Sequence, residues 1–417
     1  MKQVIINAAI ITPMRIIPRG SIVIDGSRIE GIYEANAPVP IYGFEVIDAK
    51  GLYMSPGFID THVHGGGGFD FMDATFDDVA GACKAHMRYG TTTILPTSVA
   101  CSEDELDAML GACADVIENM DDGPNVPGVH LEGPYCSLEM AGAQNPEYII
   151  DPDPEQYIRL LDKYHHIARW SSAPELPGGL ELGRELARRG IHCAIAHSNA
   201  IWEEAREAYL NGYTHATHLY SGMSMTQRIA AYRHGGVVEA AFLLDGMTVE
   251  IIADGKHLPE ELLRLIVKIK GYDKVMLVTD AMRAAAEADY PAAGRFSGFE
   301  AENSVNSSED KVRWAKLGSA KSARDCIIED GVAKTPDRQM FAGSIATTDR
   351  LVRTMVNLAE VPLREAVRMM TLTPATIMGY KSKGAIAEGM DADILLFDED
   401  INIKAVFVGG ALRFNRL

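Results

Sequence analysis

The sequence lacks the signals of export and of membrane insertion. It has no basic N-terminal region followed by an apolar run and a small-residue cleavage site, and no uninterrupted apolar stretch of about 18 residues. We therefore expect no signal peptide and no membrane partner, and we expect the chain to be cytoplasmic. Its six cysteines form no C-x-x-C motif and have no regular spacing, which predicts reduced, mostly buried thiols rather than disulfides.

Positive charge is also scarce. Against 58 Asp and Glu residues stand 39 Lys and Arg residues, so the formal net charge is −19. Nucleic-acid phosphates need a basic surface, and this balance therefore argues against a nucleic-acid partner. An anionic substrate would need a locally basic pocket. With 417 residues, 47% of them hydrophobic, the chain can bury a large core.

Both ends of the chain have the pattern of short strands. The N-terminal stretch GSIVIDGSRIEGIYE contains two apolar runs around Asp25 and Gly26, which is typical of a hairpin. The C-terminal stretch from Lys383 onward is broken in the same way by Gly and Asp residues. We predict one small sheet domain built from both ends; the alternative is two separate β caps, each too small to be stable alone.

The middle of the chain alternates between short apolar runs and helical segments. Ser102 and Glu105 fit a capping box, and Gly90 and Gly190 fit helix C-terminal caps. Eight alternating strands predict an α/β fold whose parallel sheet closes into a barrel with its chemistry at the carboxyl ends of the strands. The eight runs are GFIDTHVH, TTTILPTS, VPGVHLEG, ARWSSAPE, IHCAIAHS, YTHATHLY, TVEIIADG and KVMLVTDA.

Residues 283–342 interrupt this alternation. Their polar, charge-rich part predicts a surface insertion, for which a lid over the pocket and a dimer arm are both open. The stretch DCIIEDGVAKTPDRQMF then predicts a hairpin that turns at Asp330 and Gly331.

Residues of the kinds that bind metals end five of the eight runs. Because residues i and i+2 of a strand share a face, we expect His62 and His64 to point together into the barrel mouth. The other candidate residues should converge on the same place. Imidazoles and carboxylates suit Zn²⁺, Fe²⁺ or Mn²⁺, and a bridging glutamate would allow two ions. His215, three residues before the sixth run's ligand, should face the other side of its strand. The candidate metal residues are His62, His64, Glu132, His197, His218 and Asp280, the last of which would contact a bound water.

The segments PGFIDTHVHG, HLEGP, AHSNA, THLYSGM, DGKHLP, LVTDAM and DADILLFD together resemble the amidohydrolase superfamily and, within it, the N-acetylglucosamine-6-phosphate deacetylase family. HLEGP is the most specific of them. The resemblance runs over the whole chain except an insertion near 297–326. It implies a (β/α)8 TIM barrel over residues 55–381 and a small β-sandwich domain from residues 1–54 and 382–417.

The resemblance also implies a function for the metal residues. Glu132, His197 and His218 would hold one divalent metal (Zn, Fe or Mn), and His62 and His64 a second, so that one or two ions are bound per chain. Asp280 matches the catalytic acid/base of the family. The expected partners are a small-molecule amino-sugar substrate and a second copy of the chain in a homodimer.

The substrate side departs from the family pattern. Gln144 stands where a histidine usually polarises the substrate carbonyl, and Ser221 and Gly222 replace an Asn-Ala pair in the loop that meets the sugar phosphate. His257 matches a substrate-contacting histidine. Arg233 is the best match to the arginine that reaches the phosphate from a neighbouring subunit, with Arg228 as a competitor.

These departures leave three functions open. The first is metal-dependent deacetylation of N-acetylglucosamine 6-phosphate or a related N-acetylhexosamine 6-phosphate. The second is hydrolysis of a different amide by a sibling amidohydrolase, for example a non-phosphorylated N-acetyl sugar or an N-acyl amino acid. The third is a metal-binding barrel without catalysis, which the intact ligand set and Asp280 argue against.

Overall fold

The computed structural model describes residues 2–35, 37–287, 312–319 and 321–417. The predicted insertion at 297–326 therefore lies outside the described residues at 297–311 and at 320. Within the described residues, no helix is both long enough and apolar enough to cross a membrane.

One eight-stranded sheet joins strands from both ends of the chain. Its central strand Tyr53–Pro56 pairs with the first strand of the chain on one side and with Ile394–Phe397 on the other. The predicted hairpin at Asp25 and Gly26 is confirmed, and the alternative of two separate caps is wrong. The strands are Lys2–Ile11, Ile16–Asp25, Arg28–Tyr33, Glu45–Asp48, Tyr53–Pro56, Ile394–Phe397, Ile403–Val408 and Ala411–Asn415.

This sheet has its own hydrophobic cluster, separate from the main core. Ile5, Ile22 and Ile24 from the N-terminal strands pack with Ile394 and Phe407 from the C-terminal ones, and all five side chains are fully buried. Strands that are hundreds of residues apart in sequence thus bury their apolar faces together. Burial of each such side chain contributes roughly 1.5–3 kcal/mol, which stabilises the pairing of the two ends.

Each of the eight predicted central runs overlaps a strand. The first two strands pair in parallel, and the other six form one parallel sheet in chain order. Two isolated parallel bridges, Thr97 to His130 and Val63 to Ala281, join the first pair to this sheet. Parallel strands place their carboxyl ends at one edge, which is where the site lies. The central strands are Phe58–Val63, Thr91–Pro96, Val129–Glu132, Ile167–Ser172, His192–Ile195, Tyr213–Ala216, Thr248–Ile251 and Val275–Leu277.

Helices alternate with the central strands, as the apolar pattern predicts. The capping box is confirmed: the amide of Glu105 donates to Ser102 Oγ at 3.4 Å, and the amide of Ser102 donates to Glu105 Oε2 at 3.2 Å. Gly190 caps its helix with a φ of 73°, whereas the first helix is capped by Arg88, before the predicted Gly90. The α-helices are Phe76–Met87, Glu103–Asn119, Pro154–Lys163, Gly179–Arg189, Trp202–Leu210, Val237–Leu243, Glu260–Lys270, Thr348–Asn357, Leu363–Met370 and Leu372–Ile377; short 3-10 helices span Phe71–Asp73, Leu138–Met140 and Pro146–Tyr148.

A three-stranded antiparallel sheet follows the eighth central strand. Its hairpin turns at Asp330 and Gly331, as predicted, and the described part of the insertion is folded, with Leu317 and Cys326 buried. Arg324 Nη1 donates to the backbone carbonyl of Gln144 at 3.2 Å, so this sheet lies beside the candidate site. The three strands are Arg313–Leu317, Arg324–Glu329 and Val332–Lys334.

Candidate metal centre and active site

The predicted metal residues meet at the carboxyl ends of the central strands. Five of the six form two groups that share one glutamate, and within each group the ligand atoms lie within 4.8 Å of one another; Asp280 is in neither group. All of these side chains are buried, although each is polar, so the cluster must satisfy its members internally or through an ion. The groups are His62, His64 and Glu132, and Glu132, His197 and His218.

Glu132 is the centre of this arrangement. Its Oε1 lies 3.0 Å from His218 Nε2, 3.1 Å from His197 Nε2 and 3.5 Å from His62 Nε2. Its Oε2 lies 3.4 Å from His64 Nε2. Burial alone would raise the pKa of Glu132, but the surrounding imidazoles outweigh burial and lower that pKa well below its ordinary value. The side chain is therefore a carboxylate placed to bridge two positions.

Asp280 faces the first group. Its Oδ1 lies 3.1 Å from His64 Nε2 and 3.6 Å from His62 Nε2. Burial raises the pKa of Asp280, but His62 and His64 lower it further than burial raises it. An ionised carboxylate at this position can accept a proton from a molecule bound between the groups.

Three of these residues have an unusual backbone conformation. His197, His218 and Asp280 follow their strands with φ angles of 46°, 28° and 46°. A side-chain-bearing residue in such a sparsely populated conformation costs about 1–3 kcal/mol, and strain of this kind is concentrated at functional sites. At the carboxyl ends of these three strands, the backbone therefore leaves regular strand geometry and enters the positive-φ region.

The first group is oriented by other parts of the chain. His62 Nδ1 lies 2.7 Å from Glu250 Oε1, and Glu250 in turn forms an ion pair of 2.5 Å with Arg169. His64 Nδ1 lies 3.3 Å from the backbone carbonyl of Thr97.

The second group is oriented by nearby loops. His197 Nδ1 lies 2.8 Å from the backbone carbonyl of Met140. Gly222 has a φ of 55°, and a Cβ added to it would lie 2.8 Å from His197 Nδ1. The amide of Ser221 donates to the backbone carbonyl of His218 at 2.9 Å. Both predicted loop residues, Ser221 and Gly222, therefore adjoin the centre.

Gln144 also reaches the centre. Its Nε2 donates to Glu132 Oε2 at 2.7 Å, and its Oε1 accepts from the amide of Ala100 at 2.7 Å. The contact with Ala100 sets the orientation of the amide, so that its NH₂ faces the bridging carboxylate. Its expected role towards a substrate carbonyl stays a prediction.

His257 forms a contact group of its own. Its Nδ1 lies 3.0 Å from Asp254 Oδ2, and its ring centroid lies 4.3 Å from that of Phe341. It belongs to neither ligand group. These contacts hold the imidazole in place, but its role towards a substrate stays a prediction.

Arg233 lies on an exposed two-stranded hairpin, Gln227–Ile229 with Tyr232–His234. In this hairpin Arg233 is paired directly with Arg228. The two competing candidates for phosphate binding thus lie side by side on the same surface, and neither is part of the ligand groups.

Sequence reasoning missed Glu250 and Arg169. Each is the one charged residue of its central strand, Thr248–Ile251 or Ile167–Ser172, and both are fully buried. Charged residues are almost never fully buried unless they are paired, and that rule was the available signal. The prediction that His215 faces the other side of its strand is wrong: its Nε2 lies 3.5 Å from Oε2 of Glu250, whose Oε1 contacts His62. His215 nevertheless belongs to neither ligand group.

The residues present fit a divalent cation. His62 Nε2 is buried, points at the two carboxylates and has no hydrogen-bond partner among the described residues. Burial lowers the pKa of His64, but Asp280 and Glu132 outweigh burial and raise that pKa to about 9. The carboxylates therefore attract positive charge to this point, and a cation held by neutral imidazoles supplies it.

Comparison with known proteins identifies the family of the chain. The amidohydrolase family matches residues 53–413 of the chain. The chain belongs to the amidohydrolase family. The resemblance predicted from the motifs is thereby confirmed, as is the prediction of a hydrolase that acts on amide bonds.

Individual relatives of this amidohydrolase are similar along most of their length. The N-acetylglucosamine-6-phosphate deacetylase of Lysinibacillus sphaericus is 30% identical over 378 residues, which cover 89% of this chain and 88% of the relative. The N-acetylgalactosamine-6-phosphate deacetylase of Escherichia coli O157:H7 is 28% identical over 385 residues, covering 92% and 93%. The crystal structure of N-acetylglucosamine-6-phosphate deacetylase from Pasteurella multocida superposes with a TM-score of 0.85 at 27% identity, covering 100% of both chains.

Proposed function

We propose that this amidohydrolase removes the acetyl group from N-acetylglucosamine 6-phosphate or a related N-acetylhexosamine 6-phosphate, releasing the amino sugar phosphate and acetate. The observation that carries the proposal is the pair of ligand groups around Glu132, with Asp280 Oδ1 3.1 Å from His64 Nε2. Relatives that act on the gluco and galacto forms, similar over most of this chain, support the substrate class.

The metal positions follow from the two ligand groups. Glu132, His197 and His218 would hold one divalent ion (Zn, Fe or Mn), and His62 and His64 would hold a second with Glu132. Such an ion, when bound, would polarise a carbonyl and would lower the pKa of a bound water to about 7.

Asp280 performs the proton transfers. As an ionised carboxylate beside the first group, it accepts a proton from the attacking water and later returns it to the departing amine. Gln144 is one of two candidate donors to the developing oxyanion, and its NH₂ faces Glu132 at 2.7 Å. His257 is the other. One preorganised donor contributes about 2.7–4 kcal/mol.

The fold inference goes further than the pairing of single strands. We infer that the eight central strands close into a (β/α)8 barrel, because the bridges from Thr97 to His130 and from Val63 to Ala281 join the first two strands to the other six. Residues 55–381 would form this domain. Residues 1–54 and 382–417 would form the β-sandwich domain, which the sheet shared by both ends supports.

The substrate side is proposed from the loops. Ser221 and Gly222, which adjoin His218 and His197, would line the sugar. In a homodimer, Arg233 would reach the sugar phosphate that is bound in the neighbouring subunit. Its exposed hairpin is available for such a contact. We also propose a cytoplasmic location, which the six unpaired, buried cysteines support.

The deciding experiment is acetate release from N-acetylglucosamine and N-acetylgalactosamine, each with and without the 6-phosphate, alongside metal analysis of the purified protein. We expect the phosphorylated sugars to react faster. Arg233→Ala should remove most of this preference, and Arg228→Ala, in the same hairpin, should leave most of it. The reverse result would assign the phosphate to Arg228. Equal rates with and without the phosphate would overturn the proposed substrate.

A second function is favoured by one observation. Gln144 is fixed between Glu132 and Ala100 by two contacts of 2.7 Å, in the position where the family pattern has a histidine. A site altered in this way suits a sibling amidohydrolase that acts on a non-phosphorylated N-acetyl sugar or an N-acyl amino acid. Faster turnover of such an amide in the same screen would select this reading.

A further inference from the structure

A fully buried ion pair lies among the central strands, and the proposed mechanism does not use it. Arg169 and Glu250 are both 0% exposed, and Arg169 Nη1 lies 2.5 Å from Glu250 Oε2. Removing two charges from water costs several kcal/mol per ion, and well-packed apolar residues are often as stable. Stability alone is therefore a poor explanation for this pair.

Glu250 contacts both ligand groups through one oxygen atom. Its Oε1 lies 2.7 Å from His62 Nδ1 and accepts a hydrogen bond from the backbone amide of His218 at 3.0 Å. Arg169 is anchored on either side, because it also donates to Thr61 Oγ1 at 3.3 Å and to Thr217 Oγ1 at 3.1 Å. The ion pair is thus held in place, and Oε1 of Glu250, the oxygen that is not paired with Arg169, contacts His62.

This geometry selects one tautomer of His62. A carboxylate paired with Arg169 only accepts hydrogen bonds, so His62 Nδ1 carries the hydrogen and Nε2 of the neutral ring carries the lone pair. That Nε2 lies 3.5 Å from Glu132 Oε1 and 3.6 Å from Asp280 Oδ1, at the metal position. A carboxylate behind a ligating imidazole fixes its orientation and raises its basicity.

The other candidate ligands have no such support. The Nδ1 atoms of His64 and His197 lie 3.3 and 2.8 Å from backbone carbonyl oxygens, which are neutral. The Nδ1 of His218 has no hydrogen-bond partner among the described residues. Among the four imidazoles, His62 is therefore the one with a charged partner behind it.

We propose that Glu250, held by Arg169, is a positioning residue that presents His62 to a divalent ion as a neutral ligand and so sets the affinity of the His62–His64 position. This inference rests on the metal centre of the proposed function. It assigns a role to two residues that lie outside both ligand groups.

Glu250→Gln tests the role with little change in volume. The new NH₂ group must face either Arg169 or His62 Nδ1, and each orientation breaks one of the two contacts. Loss of such an outer partner typically weakens metal binding about 10–100-fold. His215→Gln is the matched control, because His215 is equally buried and its Nε2 lies 3.5 Å from Glu250 Oε2.

The experiment titrates metal-free protein with Co²⁺ and follows the visible absorbance of the bound ion, with thermal unfolding to verify that each variant is folded. We expect His62→Asn to identify the binding step of the His62–His64 position. Glu250→Gln should weaken that step about 10–100-fold, and His215→Gln should leave it unchanged. If Glu250→Gln does not fold, the double variant Glu250→Gln/Arg169→Met, which leaves no unpaired buried charge, must show the weakening.

The outcomes separate the two levels of inference. If the wild type binds no Co²⁺, the metal centre itself fails. If His62→Asn weakens binding and the Glu250 variants do not, the centre stands and the role of Glu250 is refuted. Equal weakening by His215→Gln would also refute it, because disruption of the buried cluster would then explain the effect.

Discussion

The two halves of the candidate centre are held in place by different means. His62 and His64 lie at the end of a regular strand, and a remote side chain and a remote carbonyl orient their rings. His197 and His218 lie beyond their strands at positive φ, and loop backbone contacts His197. The first half thus depends on strand geometry and long-range contacts, whereas the second half depends on local backbone strain and loop packing.

Substitution of Glu132 should have the largest effect, because Glu132 belongs to both halves. We expect Glu132→Gln to lower the metal content of both positions and to reduce turnover by more than the roughly 10⁴-fold upper range of a single general base. Metal analysis and acetate release would measure both. A normal metal content at one of the two positions would show that the two halves bind metal independently. The centre would then consist of two separate sites.

Asp280→Asn should affect chemistry in the first half and leave the ligands in place. We expect turnover to fall by about 10²–10⁴-fold, the usual contribution of a general acid/base. Metal content should stay near that of the wild type, since the ligand groups lack Asp280. Retention of more than about a tenth of the activity, a loss of less than 1.36 kcal/mol, would remove Asp280 from this role.

The first half shows what strand periodicity can predict. His62 and His64 are two residues apart, so alternation alone places them on one face, and the ends of apolar runs indicate the other ligands. The partners behind these rings could not be predicted in the same way. Glu250 and Arg169 become meaningful only when the strands that carry them are adjacent, and that adjacency is a property of the tertiary fold.

The second half shows where the prediction ends. The apolar runs predict that His197 and His218 end strands, but they carry no information on the left-handed turn that aims each ring. Loop positions are harder still: Gly222 adjoins His197 through its own φ of 55°, while His257 and Arg233 lie in separate contacts. At the sheet of the chain ends, likewise, the hairpin was predictable but the central position of Tyr53–Pro56 was not.

Two glycines allow a test of loop packing in the second half. Gly222 and Gly142 have φ angles of 55° and 57°, but an added Cβ would lie 2.8 Å from His197 Nδ1 at Gly222 and 3.5 Å from His197 Cε1 at Gly142. Alanine incurs the same backbone penalty at both positions, so Gly142→Ala is the matched control. We expect Gly222→Ala to lower turnover about tenfold more than Gly142→Ala, or about 1.36 kcal/mol. Equal losses would show that the ring of His197 is not held by this contact.

The smallest expected effect concerns the glycine loop that follows His64. His86 Nε2 lies 2.8 Å from the carbonyl of Gly65, and burial lowers the pKa of His86 from 6.5 to about 4 although this hydrogen bond opposes the shift. A folded-state pKa below the unfolded value means that the unfolded chain binds more protons, so stability is lost as the pH falls from about 6.5 towards 4.

His86→Gln tests this link, because the amide still donates to Gly65 but does not titrate. Between pH 7 and pH 5.5 we expect the wild type to lose about 1 kcal/mol more unfolding free energy than the variant, measured by urea denaturation. Activity at pH 7 should be unchanged. If both proteins lose the same free energy, His86 does not titrate on unfolding in this range. If the variant loses activity at pH 7, the first half depends on its loop as closely as the second half does, and the contrast between them disappears.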